Sequence, residues 1–429
     1  MATLSRQQKS ILFGSWLGWS LDGYDLVLML LVIPLISTLF FPTEDSTFSL
    51  LATFAAYIIT LIMRPFGGAF FGNFGDRHGR KKTMIITIMG FSVATFATGL
   101  LPTWQMIGFM APILLIGLRF VQGFFAGGEW GSGSVITMET APKEKRGILS
   151  GFLQSGFNFG FVIASIVFFS AVSIFPEEQF VEIGWRIMFF TGIIPGLVAL
   201  FVRFRMNESE VWLAKQKQKK PDKAPLKKLL STYDGRKRFF FSLILMTGLM
   251  YAYYTSIGFY PTFLQNYIEI EKSEVSMLMV LGTTTSLFGQ IFTGYISQKL
   301  GRKKTIAIFA IAAIIVSIPT IYGLYYAESS YERIIYTIIL IMVATTGFGP
   351  IPAFLSERFP TEVRNSASGF IYNGGLIFGS WAPLIAVTML SKFSEFIPIL
   401  LGMNIIVGSI IILIGAKINP ETRDADITL

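Results

Sequence analysis

Two stretches of the chain nearly repeat one another 222 positions apart: Gly75-Asp-Arg-His-Gly-Arg-Lys-Lys-Thr83 and Ser297-Gln-Lys-Leu-Gly-Arg-Lys-Lys-Thr305. Each is a basic loop set between long apolar runs. A second set recurs at an offset of 218, where Glu139, Pro142, Arg146 and Gly151 match Glu357, Pro360, Arg364 and Gly369. A duplication of this kind predicts two helical bundles in parallel orientation, with equivalent loops on the same side. Carriers that rock two halves about a central site are built this way.

Composition places the duplication in a membrane. Hydrophobic residues make up 52% of the chain and charged residues 14%, with 42 Phe and 41 Gly, a balance unlike that of a soluble domain. A spanning helix needs about 20 apolar residues. Twelve such segments are expected, near 11–40, 49–72, 83–101, 106–138, 148–172, 185–205, 238–265, 275–298, 304–326, 333–355, 367–390 and 394–417. The expected fold is an all-α membrane protein, with one six-helix bundle over 1–205, a basic linker over 206–237 and a second bundle over 238–429. The linker carries Lys215, Lys217, Lys219, Lys220, Lys223, Lys227 and Lys228, and it contains Pro221 and Pro225. Met1–Ser10, with Arg6 and Lys9, reads as a polar leader into the first helix rather than a cleavable signal.

The formal charge of +9 raises the question of nucleic acid, and its distribution answers it. Basic residues crowd into alternate connections, around Arg77–Lys82, Lys143–Arg146, Arg203–Arg238, Lys299–Lys304 and Arg358–Arg364. The intervening connections carry Glu44, Asp45, Glu177, Glu178, Glu182, Glu269, Glu271, Glu274, Glu328 and Glu332. That is the positive-inside pattern, which expects both termini in the cytoplasm and no nucleic-acid partner. Cysteine is absent, so no disulfide is expected.

The repeated Gly-Asp-Arg-His-Gly-Arg-Lys-Lys loop resembles the signature between helices two and three of the major facilitator superfamily. The stretches Arg64-Pro-Phe-Gly-Gly-Ala-Phe-Phe-Gly-Asn-Phe-Gly-Asp-Arg77 and Arg119-Phe-Val-Gln-Gly-Phe-Phe-Ala-Gly-Gly-Glu-Trp-Gly131 are similar to its metabolite:proton symporter branch. That branch carries dicarboxylates, citrate, shikimate and proline or betaine. Leu21-Asp-Gly-Tyr-Asp25 is closer to neighbouring branches for sialate, lactate or aromatic acids. In the second copy of the loop Gln298 stands where Asp76 stands in the first.

Ionisable side chains at mid-membrane cost roughly 2.5–3.5 kcal/mol each, so they call for a function. The first half holds Asp22, Asp25, Arg64, Arg119 and Glu129; the second half has none deep inside its helices. Asp22 and Asp25 share a helix face by their i, i+3 spacing, and either could carry a coupling proton. Arg119, near mid-depth on helix four, suits bidentate recognition of a carboxylate. The resemblance implies that helices one, four, seven and ten line a central cavity where these groups meet. A static ion pair between helices one and four is the alternative. In the expected cycle a substrate carboxylate takes Arg119 from the aspartates, and the released aspartate is protonated. Arg64 and Glu129 are expected nearer the inner side. With Asp76, Arg77, Arg80, Glu139 and Arg146, and with Glu357 and Arg364 of the second half, they would form a gating network.

Polar residues on apolar helices supply candidate substrate contacts: Gln122, Gln154, Asn158, Tyr251, Tyr253, Tyr254, Gln290, Asn373 and Trp381. Asn158, Tyr254 and Asn373 are preferred, and interhelical hydrogen bonding is the competing use of all of them. Gly123, Gly127 and Gly131 form a small-xxx-small stripe for close packing. The single histidine, His78, falls in a loop, so no metal site is expected. There is no cofactor loop, and no catalytic nucleophile set of the kind an enzyme needs. The resulting expectation is a monomeric, proton-coupled symporter in the plasma membrane importing a small organic anion. A carrier of sugars or zwitterionic osmolytes is the alternative, and export is left open.

Overall fold

The computed structural model describes residues 4–205 and 225–427, and every regular element among them is helical. Among the described residues, eleven helices are long and apolar enough to cross a membrane. A further span is a bent pair, Arg6–Leu31 and Ile33–Phe40, meeting at 60°. This pair is span 1. The rest are span 2 (Ser46–Gly75), span 3 (Lys81–Gly99), span 4 (Met110–Thr140), span 5 (Lys143–Ile174), span 6 (Glu177–Val198), span 7 (Tyr233–Asn266), span 8 (Lys272–Leu300), span 9 (Arg302–Tyr325), span 10 (Ser330–Arg358), span 11 (Arg364–Lys392) and span 12 (Ile397–Ile418). Helix is the form an apolar chain takes in lipid, because it satisfies its backbone groups internally. Large apolar side chains such as Phe66, Phe70, Phe201, Ile315 and Ile414 stay exposed on the outside, where lipid would meet them.

Several ends differ from the expected ones for local reasons. Helix one begins at Arg6 because Ser5 and Gln8 form a reciprocal capping box, so the part of the polar leader from Arg6 to Ser10 is helical. Its break falls at Val32, just before Pro34, which cannot donate to a continuing helix. Span 6 starts at Glu177, earlier than expected, through a π-turn at Phe180–Gly184. Residues 206–224 of the expected linker lie outside the described residues; after them comes a short helix, Pro225–Ser231.

The duplication is visible in the backbone. Gly79 and Gly301, equivalent residues of the two basic loops, both have φ of 105°, a conformation that a side chain would strain. Span 5 lies along span 8 and span 2 along span 11, so the first six spans meet the last six over two long seams. Both described chain ends sit with the basic loops. Gln8 Nε2 donates to the Thr140 carbonyl at 2.7 Å, and the tail near Ala425 reaches Arg146.

The glycine stripe of span 4 sets how closely it approaches span 2. A Cβ on Gly123 would stand 2.0 Å from the Thr60 carbonyl oxygen, whereas one on Gly117 would meet nothing within 4 Å. Gly123→Ala is therefore expected to destabilise the protein by about 1–3 kcal/mol through overpacking against backbone. Gly117→Ala should be neutral or slightly stabilising. Thermal unfolding of the two variants in detergent checks the contrast, and equal behaviour would contradict it.

Candidate substrate and proton site

A narrow cavity lies at the centre, where spans 1, 2, 5, 7, 8, 10 and 11 converge. Its walls are largely aromatic: Trp19, Phe157, Tyr253, Tyr254, Phe348 and Tyr372. A π-turn at Tyr254–Gly258 interrupts span 7 where it borders the cavity. Among the polar groups, Gln154 Nε2 donates to the Tyr372 hydroxyl at 2.9 Å and Asn158 Nδ2 to Ser286 Oγ at 2.9 Å. Gln290 Nε2 donates to the Thr345 carbonyl at 3.2 Å. The buried Asn158 Oδ1, Gln290 Oε1 and Tyr253 hydroxyl have no protein partner, which leaves hydrogen-bonding capacity at the cavity wall.

One cation belongs to this wall. Arg64, on span 2 directly before Pro65, donates from Nη1 to Asp22 Oδ2 at 2.8 Å and from Nη2 to Asp22 Oδ1 at 2.5 Å. The pair is bidentate and buried, and Arg64 Nε has no protein acceptor. Arg119 stands elsewhere. Its Nη1 donates to Gln122 Oε1 at 2.5 Å and its Nη2 to Thr98 Oγ1 at 2.6 Å. The guanidinium also lies over the Phe189 ring, 5.6 Å from its centroid. Gln122 Nε2 in turn donates to Asp25 Oδ2 at 2.5 Å, while Asp25 Oδ1 has no partner.

This arrangement corrects the expected geometry. Arg119 does not pair with Asp22 and does not line the cavity; Gln122 stands between it and Asp25. Arg64, expected in an inner gate, is the cavity cation instead. The helix containing it runs on past residue 72 to His78, which leaves Arg64 deeper than a helix ending at 72 implies. Of the expected contacts, Gln154, Asn158, Tyr253, Tyr254 and Gln290 line the cavity. Tyr251 does not: its hydroxyl donates to Asn404 Oδ1 of span 12. Trp381 is 45% exposed on the outer surface, its indole donating to its own helix at Ile377. Asn373 bridges spans 4 and 11, donating to the Gly127 carbonyl at 3.2 Å. Trp19, Trp130 and Tyr372 were not singled out in the sequence, because an aromatic on an apolar helix carries no mark of the face it occupies.

Both ends of the cavity are tied shut. At the basic-loop end Arg364 Nη1 bonds Glu139 Oε1 at 2.9 Å across the two halves, and Gly147 N donates to Gln298 Oε1 at 2.9 Å. Arg302 holds Glu357 through Nε at 3.2 Å and Nη2 at 2.9 Å. The tail closes over this layer. Arg146 donates to the Ala425 carbonyl and Arg364 to that of Ile427, whose side chain is buried with Met138 and Ala353. Thus Glu139, Arg146, Glu357 and Arg364 gather in one layer, whereas Glu129 lies deeper. The side chains of Asp76, Arg77 and Arg80 lie outside the described residues. At the acidic-loop end Lys272 Nζ bonds Glu177 Oε1 at 2.5 Å and Ser276 Oγ donates to the Ser165 carbonyl at 2.6 Å.

A family model described as the Major Facilitator Superfamily matches residues 10–383. The chain belongs to the major facilitator superfamily. Within the superfamily it is 31% identical over 403 residues to the inner membrane metabolite transport protein YhjE of Escherichia coli K12, covering 90% of this chain and 89% of that relative. It is 28% identical to the proline/betaine transporter of the same strain, covering 88% of this chain and 76% of that one. The Escherichia coli K12 shikimate transporter is 29% identical, with 91% and 90% covered. Among solved structures, the partially occluded, inward-open xylose transporter XylE from E. coli superimposes with a TM-score of 0.77 at 19% identity, covering 99% of this chain and 100% of that one. The protein is a multi-pass membrane transporter of the major facilitator fold and a relative of metabolite carriers, not an enzyme.

Proposed function

We propose that the protein is a proton-coupled symporter that imports a small organic anion, a carboxylate, by alternating access. The observation that carries this reading is the buried, bidentate Arg64–Asp22 pair on the wall of a closed central cavity. A substrate carboxylate matches the guanidinium fork that Asp22 now fills, so it competes for the same donors. Asp22, once displaced, is a carboxylate in a low-dielectric cavity and takes a proton. Asp25 supplies that proton. It lies one helical turn from Asp22 towards the acidic-loop end, with one oxygen free of protein partners. Gln122 links Asp25 to Arg119 and so holds it without a direct ion pair. With the charges neutralised, the halves 1–205 and 238–429 rock about the site, joined by the 206–237 linker, in a carrier that works as a monomer. The basic-loop end faces the cytoplasm by the positive-inside rule.

A zwitterion such as betaine or proline is a second reading, favoured by the aromatic walls. Trp19, Tyr253, Tyr254 and Tyr372 could receive a cationic head by cation–π contact while Arg64 takes the carboxylate. Proteoliposome uptake with and without an imposed pH gradient separates the readings, using monocarboxylates, dicarboxylates, betaine and hexoses. Gradient-stimulated uptake of a simple carboxylate supports the anion reading. Uptake of betaine alone supports the second, and uptake of hexose alone sinks both.

A further inference from the structure

Beneath the central cavity, towards the basic-loop end, lies a smaller space with room for about one water, lined by Ser15, Glu129, Trp130, Gly133 and Ser134. Trp19 borders both spaces. The division between them is aromatic: Trp130 stacks on Tyr372 with centroids 3.7 Å apart and planes at 14°, and Trp19 meets both rings edge-on. Glu129 is 2% exposed and accepts a hydrogen bond from Thr87 at 3.4 Å. It is close enough to Asp22 for their charges to interact. Ser15, also 2% exposed, places in this chamber a hydroxyl with no protein partner. Buried polar groups of this kind are normally satisfied, so the chamber is suited to a proton relay rather than to an apolar guest.

Building on the proton-coupled reading above, we propose that Glu129 is the proton-release group of the carrier. The O–H bond formed at Asp22 during substrate binding breaks, and the proton adds to the Glu129 carboxylate through the serine-lined chamber. Asp22 returns as a carboxylate to Arg64. When the Trp130–Tyr372 stack parts, Glu129 gives the proton to water at the basic-loop end and recovers its charge. Depth supports the order. Asp25 and Asp22 follow one another along span 1, and Glu129 lies ten residues beyond Arg119 on span 4, about 15 Å further towards the basic loops at 1.5 Å per residue.

The test measures two quantities in proteoliposomes holding a pH-sensitive dye: substrate-dependent proton influx and substrate counterflow, which needs no net proton movement. The substrate is the one identified by the uptake panel. Glu129→Gln should reduce proton influx at least tenfold while counterflow changes less than threefold, and Glu129→Asp should restore at least half the influx. If Glu129→Gln cannot be recovered in the membrane, Ser15→Val decides, since it narrows the chamber without altering a charge; the expected influx is at least fivefold lower. Wild-type influx in the deciding variant overturns the proposal. So does a parallel loss of influx and counterflow, which marks a structural role. Failure of the symport reading looks different, because the wild-type protein would then show no substrate-dependent influx at all.

Discussion

Arg64→Ala is expected to abolish transport and to destabilise the protein, because it leaves the Asp22 carboxylate buried without its cation. Breaking a buried ion pair from one side costs about 3–5 kcal/mol. Substrate binding should fall by two orders of magnitude or more, since a charge-assisted hydrogen bond contributes about 1.5–3 kcal/mol and Arg64 would make two. Adding Asp22→Asn to Arg64→Ala should recover most of the lost stability but none of the transport, as the pair would then be neutral. Thermal unfolding and counterflow of the two single variants and the double variant form a complete cycle. A double variant as unstable as Arg64→Ala would show that the charge pair is not the source of the effect.

Asp25→Asn is expected to remove accumulation. A carrier moving one proton per substrate can concentrate its substrate about tenfold for each unit of pH gradient. The variant should bring the internal and external concentrations to about equality, with counterflow retained within a few fold. The amide keeps the size of the carboxyl and can still hydrogen-bond Gln122, so packing should change little. Accumulation ratios under an imposed gradient give the answer, and a ratio equal to that of the wild-type protein would remove Asp25 from the proton path.

The architecture was legible because membrane helices announce themselves by length, apolarity and the charge of their connections. The repeat of Gly75–Thr83 at Ser297–Thr305 gave the parallel duplication, and Gly79 and Gly301 carry it into the same φ of 105°. The rarity of intramembrane charge also picked out Asp22, Asp25, Arg64, Arg119 and Glu129. Pairing among them was not legible. Which arginine meets which aspartate depends on how far each helix extends and how it is rotated, and neither is written in local composition. Span 2 continues to His78, and Gly123 and Gly127 let span 4 press against it at Thr60 and Arg64. Those two facts place Arg64 at the cavity and leave Arg119 behind Gln122. Trp381 was misplaced for a related reason: a tryptophan on an apolar helix serves equally well at a lipid face or a cavity wall, and its helix turns it outward.

The account depends on a substrate carboxylate and Asp22 competing for the guanidinium of Arg64. Equilibrium binding of the identified substrate to purified Asp22→Asn protein, by calorimetry beside the wild-type protein, tests this most directly. Removing the internal competitor should tighten binding by about tenfold or more, roughly 1.4 kcal/mol. Binding that is unchanged or weaker in Asp22→Asn would contradict the account, because Arg64 would then not be the group that substrate takes from the protein.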